Sequence, residues 1–330
     1  MNIYDIAKKA GVSVATVSRV LNESSHVSEK SKEKVKTIME QEGYVPNIFA
    51  RGLIHNSVRS IGIICPVISD INHSAIVAHL EHMLRLRGFD TLLTCSGGYD
   101  EDKGKYIDLL LTKRVDAIIC VGSTRKESLE SARFGAAAKQ LPIIIVNGLI
   151  KAPNVYCVLC DEESAVKECV HQLHNRGFND IVYIYDTDTY SGHQKLAGYR
   201  HGLVECNIEE QRRTEIKIRT ETNGIDAAFA ATIKLIESGR KISALIAADD
   251  IIAVGAQKAL INKNMQVPII GANNSRFAQC ADPEITSIDT MIETLCISAI
   301  QQLMDVLQKK TTTDCIVISA KLIERQSFRL

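Results

Sequence analysis

Two consecutive series of short β-branched runs occupy the chain from Ser60 onward, with a helical stretch between one run and the next. The first series lies at 61–65, 90–94, 117–121 and 142–146, and the second at 181–185, 215–218, 244–247 and 268–271. Continuous apolar strands that alternate with helices are typical of a parallel sheet covered on both faces. A chain of 330 residues exceeds one ordinary compact core, so the two series predict two α/β lobes.

A small helix-turn-helix pattern precedes these lobes. Apolar residues recur on one face of a first helix over 3–10, and Gly11 suits the positive φ of a tight turn. A second amphipathic helix follows over 14–21, and Ser28 is placed to cap a third. Two helices that cross over a glycine turn, with the second one exposed, have the geometry that enters the major groove of DNA.

Positive charge is concentrated at this end of the chain. Residues 1–60 carry nine Lys and Arg side chains against six acidic ones, whereas the whole chain holds 39 of each. Such an uneven distribution favours contact between the N-terminal segment and phosphate groups. The alternative is a three-helix cap that serves a larger enzyme by binding a partner protein.

Several motifs of this segment resemble one known family. They are Ile3-Tyr4-Asp5-Ile6-Ala7, Ala10-Gly11-Val12-Ser13, Thr16-Val17-Ser18-Arg19-Val20-Leu21-Asn22, Val27-Ser28, Gly43-Tyr44-Val45-Pro46-Asn47 and Ala50-Arg51. Together they resemble the LacI/GalR family of bacterial repressors, and the similarity recurs in pieces further along the chain.

The resemblance implies an α/β protein of three parts. These are a helix-turn-helix headpiece over 1–44, a hinge helix or linker over 45–60, and a core like the periplasmic binding proteins over 61–330. In such proteins the chain crosses three times between two lobes that bind the effector and form the dimer. Lobe 1 would then comprise about 61–160 and 290–319, and lobe 2 about 161–289 and 320–330.

The resemblance also implies which residues contact DNA. Val14, Ala15 and Arg19 would meet base edges, and the guanidinium of Arg19 is able to bind guanine with two hydrogen bonds. Phosphate contacts that fix the register fall to Ser13, Thr16, Ser18 and Asn22. A second group lies in the hinge at Asn47, Ala50 and Leu53, where Leu53 would wedge between base pairs in the minor groove. Two alternatives stay open, namely that Val14 packs inward and that 46–54 is a plain linker.

Lobes of this kind bind small ligands outside the carboxyl ends of their strands. The candidate effector residues at those ends are Asp70, Asn72, His73, Asn147, Lys195, Asp249 and Asn273. Their many donors and acceptors suit a polar ligand such as a sugar or sugar derivative. Lys195 and Asn273 stand where the family usually has Arg and Asp, and a lysine does not reproduce the two-pronged contact of an arginine. For Asp249, capping of the following helix is an equal alternative.

Signals for catalysis, metal binding and membrane insertion are weak. No nucleophile is paired with a base, and the glycines near 98–106 have the wrong spacing for a phosphate loop. Cys157 and Cys160 lie in an extended stretch, where positions three apart point to opposite faces. No apolar run reaches the length of a membrane span, and ten cysteines without a secretory signal favour reduced thiols in the cytoplasm.

The sequence therefore predicts a cytoplasmic transcriptional regulator, acting as a repressor, that has neither enzymatic activity nor a cofactor or metal. Because an operator with two half-sites requires a two-fold assembly, the protein is expected to bind palindromic double-stranded DNA as a homodimer. A small sugar-like effector in the cleft between the lobes would control DNA binding. The alternative is an enzyme or sugar sensor that uses the headpiece to bind partner proteins.

Overall fold

The computed structural model describes residues 2–21, 26–44, 58–97, 103–122, 127–186, 189–219 and 224–329. The chain packs as two units, of which the first holds Met1–Ser60 together with Arg114–Asp116. The second holds Ile61–Lys113 and Ala117–Leu330. The predicted headpiece belongs to the first unit and both predicted lobes to the second, while their residue boundaries stay a prediction.

Three helices build the headpiece, namely α1 (Ile3–Ala10), α2 (Val14–Leu21) and α3 (Glu29–Gln41). The side chain of Asn2 caps α1 by accepting from the amides of Tyr4 and Asp5, and the Asp5 carboxylate accepts from the Asn2 amide. This reciprocal pair satisfies amides that the first helical turn leaves without partners. Gly11 ends α1 with a φ of 61°, a conformation that costs a glycine little.

A miniature apolar core holds these helices together. Its buried members come from all three helices and are Ile6, Ala7, Ala10, Val17, Val20 and Val35. Val12, Leu21, Ile38 and Met39 pack around them half-buried. The period of the apolar residues thus places the inward faces of the headpiece as the sequence predicts.

The first sheet of the second unit has six strands in the order β11-β5-β4-β3-β1-β2, and the pairs from β11 to β1 are parallel. Their bounds are β1 Ser60–Cys65, β2 Asp90–Cys95, β3 Ala117–Val121, β4 Ile143–Val146, β5 Val155–Asp161 and β11 Cys315–Ser319. The connecting helices are α4 Ile71–Leu86, α5 Lys103–Thr112, α6 Glu127–Ala138 and α12 Ile292–Leu307. Helices α4 and α12 cover one face, where Leu80 and Leu303 are fully buried against the strands.

The second sheet also has six strands, in the order β12-β10-β9-β8-β6-β7. Their bounds are β6 Ile181–Tyr185, β7 Thr214–Lys217, β8 Ala244–Ala247, β9 Ile269–Ala272, β10 Thr286–Asp289 and β12 Lys321–Ile323. Helices α7 (Glu162–Asn175) and α8 (Tyr190–Glu205) cover one face. The other face is covered by α9 (Gly224–Glu237), α10 (Asp250–Asn262) and α11 (Arg276–Cys280).

The chain crosses between the two sheets three times, as the family resemblance implies. It leaves the first sheet after β5, returns to it after β10 through α12, and leaves it again between β11 and β12. The predicted α/β class with two lobes of parallel sheet is confirmed. One strand departs from it, because β12 pairs with β10 in the antiparallel sense.

Two features of the strands differ from the pattern of continuous apolar runs. Strand β2 lies at the edge of its sheet and exposes Leu92 and Leu93 instead of burying them. Strand β10 is polar, yet Thr286 and Ser287 in it are fully buried. The Ser287 hydroxyl donates to Asp250 and that of Thr286 to the Phe328 carbonyl. A polar strand that satisfies its hydroxyls internally gives no hydrophobic signal, so sequence patterning missed β10.

Candidate functional site

Helix α2 presents a polar outer face opposite the headpiece core. Val17 and Val20 are buried, whereas Ala15 and Arg19 are exposed and Ser18 is half-buried. This places the candidate base-reading side chain of Arg19 where the surface of a duplex is able to reach it. The predicted roles of these residues in DNA contact stay predictions.

The start of α2 supports the structural alternative for Val14. Its side chain is half-buried and packs against the headpiece core. Beside it, the Ser13 hydroxyl accepts from the Thr16 amide at 3.1 Å and lies 2.9 Å from the Thr16 hydroxyl. Ser13 therefore caps the helix, and the Thr16 hydroxyl pairs with the hydroxyl of Ser13.

The structure does not describe four of the predicted DNA contacts. Asn22, Asn47, Ala50 and Leu53 lie outside the described residues, as does most of the predicted hinge.

In the second unit, three candidate effector residues occupy the first turn of α4. Asp70 caps this helix, and its Oδ1 accepts from the amides of Asn72 and His73 at 2.9 Å each. The His73 ring reaches the carboxyl end of β3, since a Cβ added at Gly122 would lie 3.1 Å from its Nε2. Asp70 therefore organises the turn, and His73 is the side chain placed at the strand ends.

Asn147 follows β4 in a left-handed conformation with a φ of 57°. Its side-chain oxygen accepts from the Cys160 amide of β5 at 3.2 Å. Asparagine adopts this conformation more readily than most residues, and here it also ties two strand ends together. The side-chain oxygen of Asn147 is thus committed to the fold.

The candidates of the second lobe are joined through one cluster. Lys195 on α8 is buried, and its Nζ donates to the Ala248 carbonyl at 2.9 Å, just before Asp249. The Asp249 Oδ1 accepts from the Ile251 amide and caps α10, as the structural alternative for this residue anticipates. Its other oxygen accepts from Asn273 Nδ2 at 3.4 Å. Lys195, Asp249 and Asn273 therefore lie together at the carboxyl ends of β8 and β9.

Sequence reasoning missed Glu162, which belongs to the same cluster. Glu162 begins α7 directly after β5, and its Oε1 lies 3.5 Å from Lys195 Nζ. The sequence pattern marks residues 157–160 as extended, but this stretch is not among the strands whose carboxyl ends were expected to face a ligand. A strand assignment over 155–161 is the signal that would have found it.

The neighbouring Asp250 is a structural residue. Its carboxylate accepts from the Ser275 amide and from the Ser287 hydroxyl, both at 2.6 Å, and thereby joins α10 to the loop after β9 and to β10. Burial raises the pKa of Asp250, and the hydrogen bonds from Ser287 and Ser275 oppose that shift. Asp250 is 1% exposed, so we assign it to packing and not to ligand contact.

Burial also raises the pKa of Asp249, to about 7, with a further contribution from the adjacent Asp250 charge and opposition from Lys195. Between pH 3.8 and about 7, the folded protein therefore keeps a proton on Asp249 that the unfolded chain has already released. A pKa raised by folding makes stability fall as the pH rises through that interval.

We therefore expect Asp249→Asn, which retains the cap, to gain stability relative to the unsubstituted protein as the pH rises. The relative gain is at most about 1.4 kcal/mol per pH unit across that interval. Urea unfolding of both proteins at pH 5 and pH 8 measures it, and an equal difference at the two pH values would contradict the assignment.

The cysteines and histidines show no metal centre in the described ranges. No group of three or more His, Cys, Asp or Glu side chains there is placed to hold a metal ion. Cys157 donates to the Ile150 carbonyl, and Cys160 packs in the apolar core. Burial raises the pKa of the Cys157 thiol to about 11. His171 and His174 are engaged by Glu205 and Asn179 respectively.

Two protein-family profiles match the chain. The profile of the bacterial regulatory proteins of the lacI family matches residues 2–47, and that of the periplasmic binding protein-like domain matches residues 170–328. The first match covers the headpiece, and the second covers most of the second lobe with the returning segment.

Relatives match this chain over almost its whole length. An HTH-type transcriptional regulator of Lachnoclostridium phytofermentans is 42% identical over 99% of both chains. The regulator AscG of Escherichia coli is 29% identical, over 99% of this chain and 98% of its own. These relatives are transcriptional regulators and not enzymes.

Solved structures share the fold. A lac repressor dimer bound to operator and the anti-inducer ONPF superposes with a TM-score of 0.89 at 23% identity, covering 99% of this chain and 98% of that one. A complex of the regulator CelR with cellobiose superposes with a TM-score of 0.70 at 24% identity, covering 99% and 100%. Across the described residues, no helix is both long and apolar enough to cross a membrane.

Proposed function

Because this chain belongs to the LacI family of bacterial regulatory proteins, we propose that it represses transcription by binding a palindromic operator as a homodimer, under control of a small polar effector. Its role as a DNA-binding transcriptional regulator follows from the family itself. The operator symmetry, the dimer and the effector are the parts that we propose.

The outer face of α2 is the observation that carries the DNA half of this proposal. Arg19 and Ala15 are exposed on a helix whose opposite side is buried in the headpiece core. A protruding helix with one guanidinium and small neighbours fits the major groove, where that guanidinium reads guanine and a methyl group meets thymine. Such DNA lies in the cytoplasm of a bacterium, where we place the protein.

An apolar edge of the first lobe supports the homodimer. Edge strand β2 exposes Leu92 and Leu93, and the neighbouring helices expose Leu86 of α4 and Leu109 of α5. Large apolar side chains that collect at one edge mark a protein–protein contact, and an unpaired edge strand is a liability unless it is covered.

Replacing Leu93 with aspartate is expected to raise the dimer dissociation constant about tenfold or more, which corresponds to about 1.4 kcal/mol. The substitution places a charge in an interface that excludes water. Val204→Asp is a matched control, because Val204 is an equally apolar and exposed residue on α8. Sedimentation velocity across protein concentrations measures the change, and an unaltered Leu93→Asp dimer would exclude β2 from the interface.

The effector half rests on the side chains at the strand ends. His73 lies at the end of β3, while Asp249 and Asn273 lie at the ends of β8 and β9. Polar groups that converge on the carboxyl ends of parallel strands are the usual setting for a small polar ligand. The similar regulator CelR has cellobiose bound, and we propose a sugar or sugar derivative here.

Fluorescence anisotropy with labelled palindromic DNA from upstream of the gene tests the proposal. Specific binding at physiological salt should exceed binding to a scrambled duplex about a thousandfold or more. A sugar that binds should change that affinity by about 5–150-fold through the coupling between its site and the headpiece. Equal affinity for the two duplexes would refute operator binding, and constant affinity with every sugar would refute effector control.

A further inference from the structure

The carboxylate of Glu162 is buried in the cluster at the strand ends of the second lobe. The residue is 2% exposed, and its Oε1 accepts from the Ser191 hydroxyl at 2.8 Å. The same oxygen lies 3.5 Å from Lys195 Nζ. Its second oxygen, Oε2, is buried without a hydrogen-bond partner. A buried carboxylate oxygen that accepts nothing is costly, so this atom is a vacant acceptor beside the candidate effector residues.

The charge of Lys195 is already neutralised within the protein. Besides its approach to Glu162, its Nζ donates to the Ala248 carbonyl. Burial by itself would lower the pKa of Lys195, but Glu162 and Asp249 outweigh that effect and the pKa is raised. A lysine held in this way is a firmly charged partner of Glu162 and has no spare charge for an anion.

The surrounding residues add further negative charge. Asp186 follows β6, and the charge of its carboxylate raises the pKa of both Lys195 and Asp249. Against the positive charge of Lys195, this wall therefore sets the carboxylates of Glu162 and Asp186. The Asp249 carboxyl adds only part of a charge at neutral pH, because its pKa is raised to about 7. A phosphate or carboxylate brought here would meet like charges in a poorly solvated place, which disfavours it strongly.

We propose that Glu162 determines effector specificity, because it neutralises Lys195 and offers Oε2 as an acceptor. The effector is accordingly a ligand that donates hydrogen bonds from hydroxyl or ammonium groups, and ligands with a phosphate or carboxylate group are rejected. This inference rests on the proposed control by a small effector and defines the chemical class of that ligand. Glu162 thereby disfavours anionic ligands indirectly, because it neutralises the Lys195 charge that would otherwise attract them.

Isothermal titration calorimetry on the full-length protein with matched ligand pairs tests the proposal. The probes are glucose, glucosamine and glucose 6-phosphate, ribose and ribose 5-phosphate, and cellobiose and its phosphate. For any pair that binds, the uncharged or amino member should bind at least about tenfold more tightly than the phosphorylated member. In Glu162→Gln, which frees the charge of Lys195, the preference should shrink by about tenfold.

Two variants serve as controls. Glu163→Gln changes a neighbouring carboxylate on the same helix that contacts His201, and it should leave the preference unchanged. The double variant Glu162→Gln/Lys195→Gln has neither charge and should reject phosphates again, because no cation is left to hold them. Operator binding without ligand shows that each variant is folded.

The outcomes separate this inference from the proposed function. Tighter binding of a phosphorylated sugar by the unsubstituted protein would overturn it, even if Glu162→Gln fails to fold. A preference unchanged in a folded Glu162→Gln would also overturn it, while a neutral sugar that still alters operator affinity would uphold effector control. Failure of every probe to bind would count against both proposals.

Discussion

Replacing Lys195 with methionine is expected to lower the free energy of unfolding by about 3–5 kcal/mol. Methionine fills a similar volume but leaves the Glu162 carboxylate buried at 2% exposure without its counter-charge. It also removes the donor that satisfies the Ala248 carbonyl. Breaking one half of a buried ion pair costs much more than the net contribution of the pair, because the remaining charge stays desolvated.

The double variant Glu162→Gln/Lys195→Met separates these contributions. It has no buried charge at this position, so most of the lost stability should return, to within about 1–2 kcal/mol of the unsubstituted protein. Urea unfolding at pH 7.5 monitored by circular dichroism gives the three values. A Lys195→Met protein as stable as the unsubstituted one would show that the charges of Glu162 and Lys195 are solvated and not buried as a pair.

This ion pair lies beside a crossing between the lobes. Glu162 begins α7 immediately after β5, where the chain leaves the first sheet, and Lys195 lies one helix further on. The pair therefore fixes the start of α7 against α8 and the end of β8. Stability at this point and the charge that a ligand meets are set by the same two side chains.

The headpiece was predictable because its signals are local. The spacing of Ile6, Ala7 and Ala10, the glycine at the turn and the capping serine Ser28 all act within one or two helical turns. For the same reason the apolar runs in the sequence correctly predicted eight of the strands that form the two sheets. Structure that is determined by residues close together in the chain is open to sequence reasoning.

The effector site was less predictable, since its side chains are engaged by partners far away in the chain. Asn147 is held by Cys160, and Lys195 by Glu162 and by the Ala248 carbonyl, over separations of 13 to 53 residues. Sequence reasoning identified the polar residues at the strand ends but not which of them satisfy one another. Strand β10 escaped for a related reason, because its hydroxyls are paired with residues of other elements.

Replacing Arg19 with alanine is expected to abolish preference for the operator while leaving weak binding to other DNA. A two-pronged contact to guanine contributes about 1–3 kcal/mol of discrimination, and a dimer on two half-sites loses it twice, about 2–6 kcal/mol in all. Arg19 is exposed and lies outside the headpiece core, and alanine favours helix, so the fold should persist.

Lys36→Ala provides the matched comparison, because it removes an exposed positive charge from α3 and not from α2. A lost phosphate contact weakens binding to all sequences alike, so this variant should keep the ratio between operator and scrambled duplex. Anisotropy titrations of both duplexes at several salt concentrations yield that ratio. If Arg19→Ala lowers affinity for operator and scrambled DNA equally, Arg19 contacts the backbone, and the reading of bases must come from other residues of the headpiece.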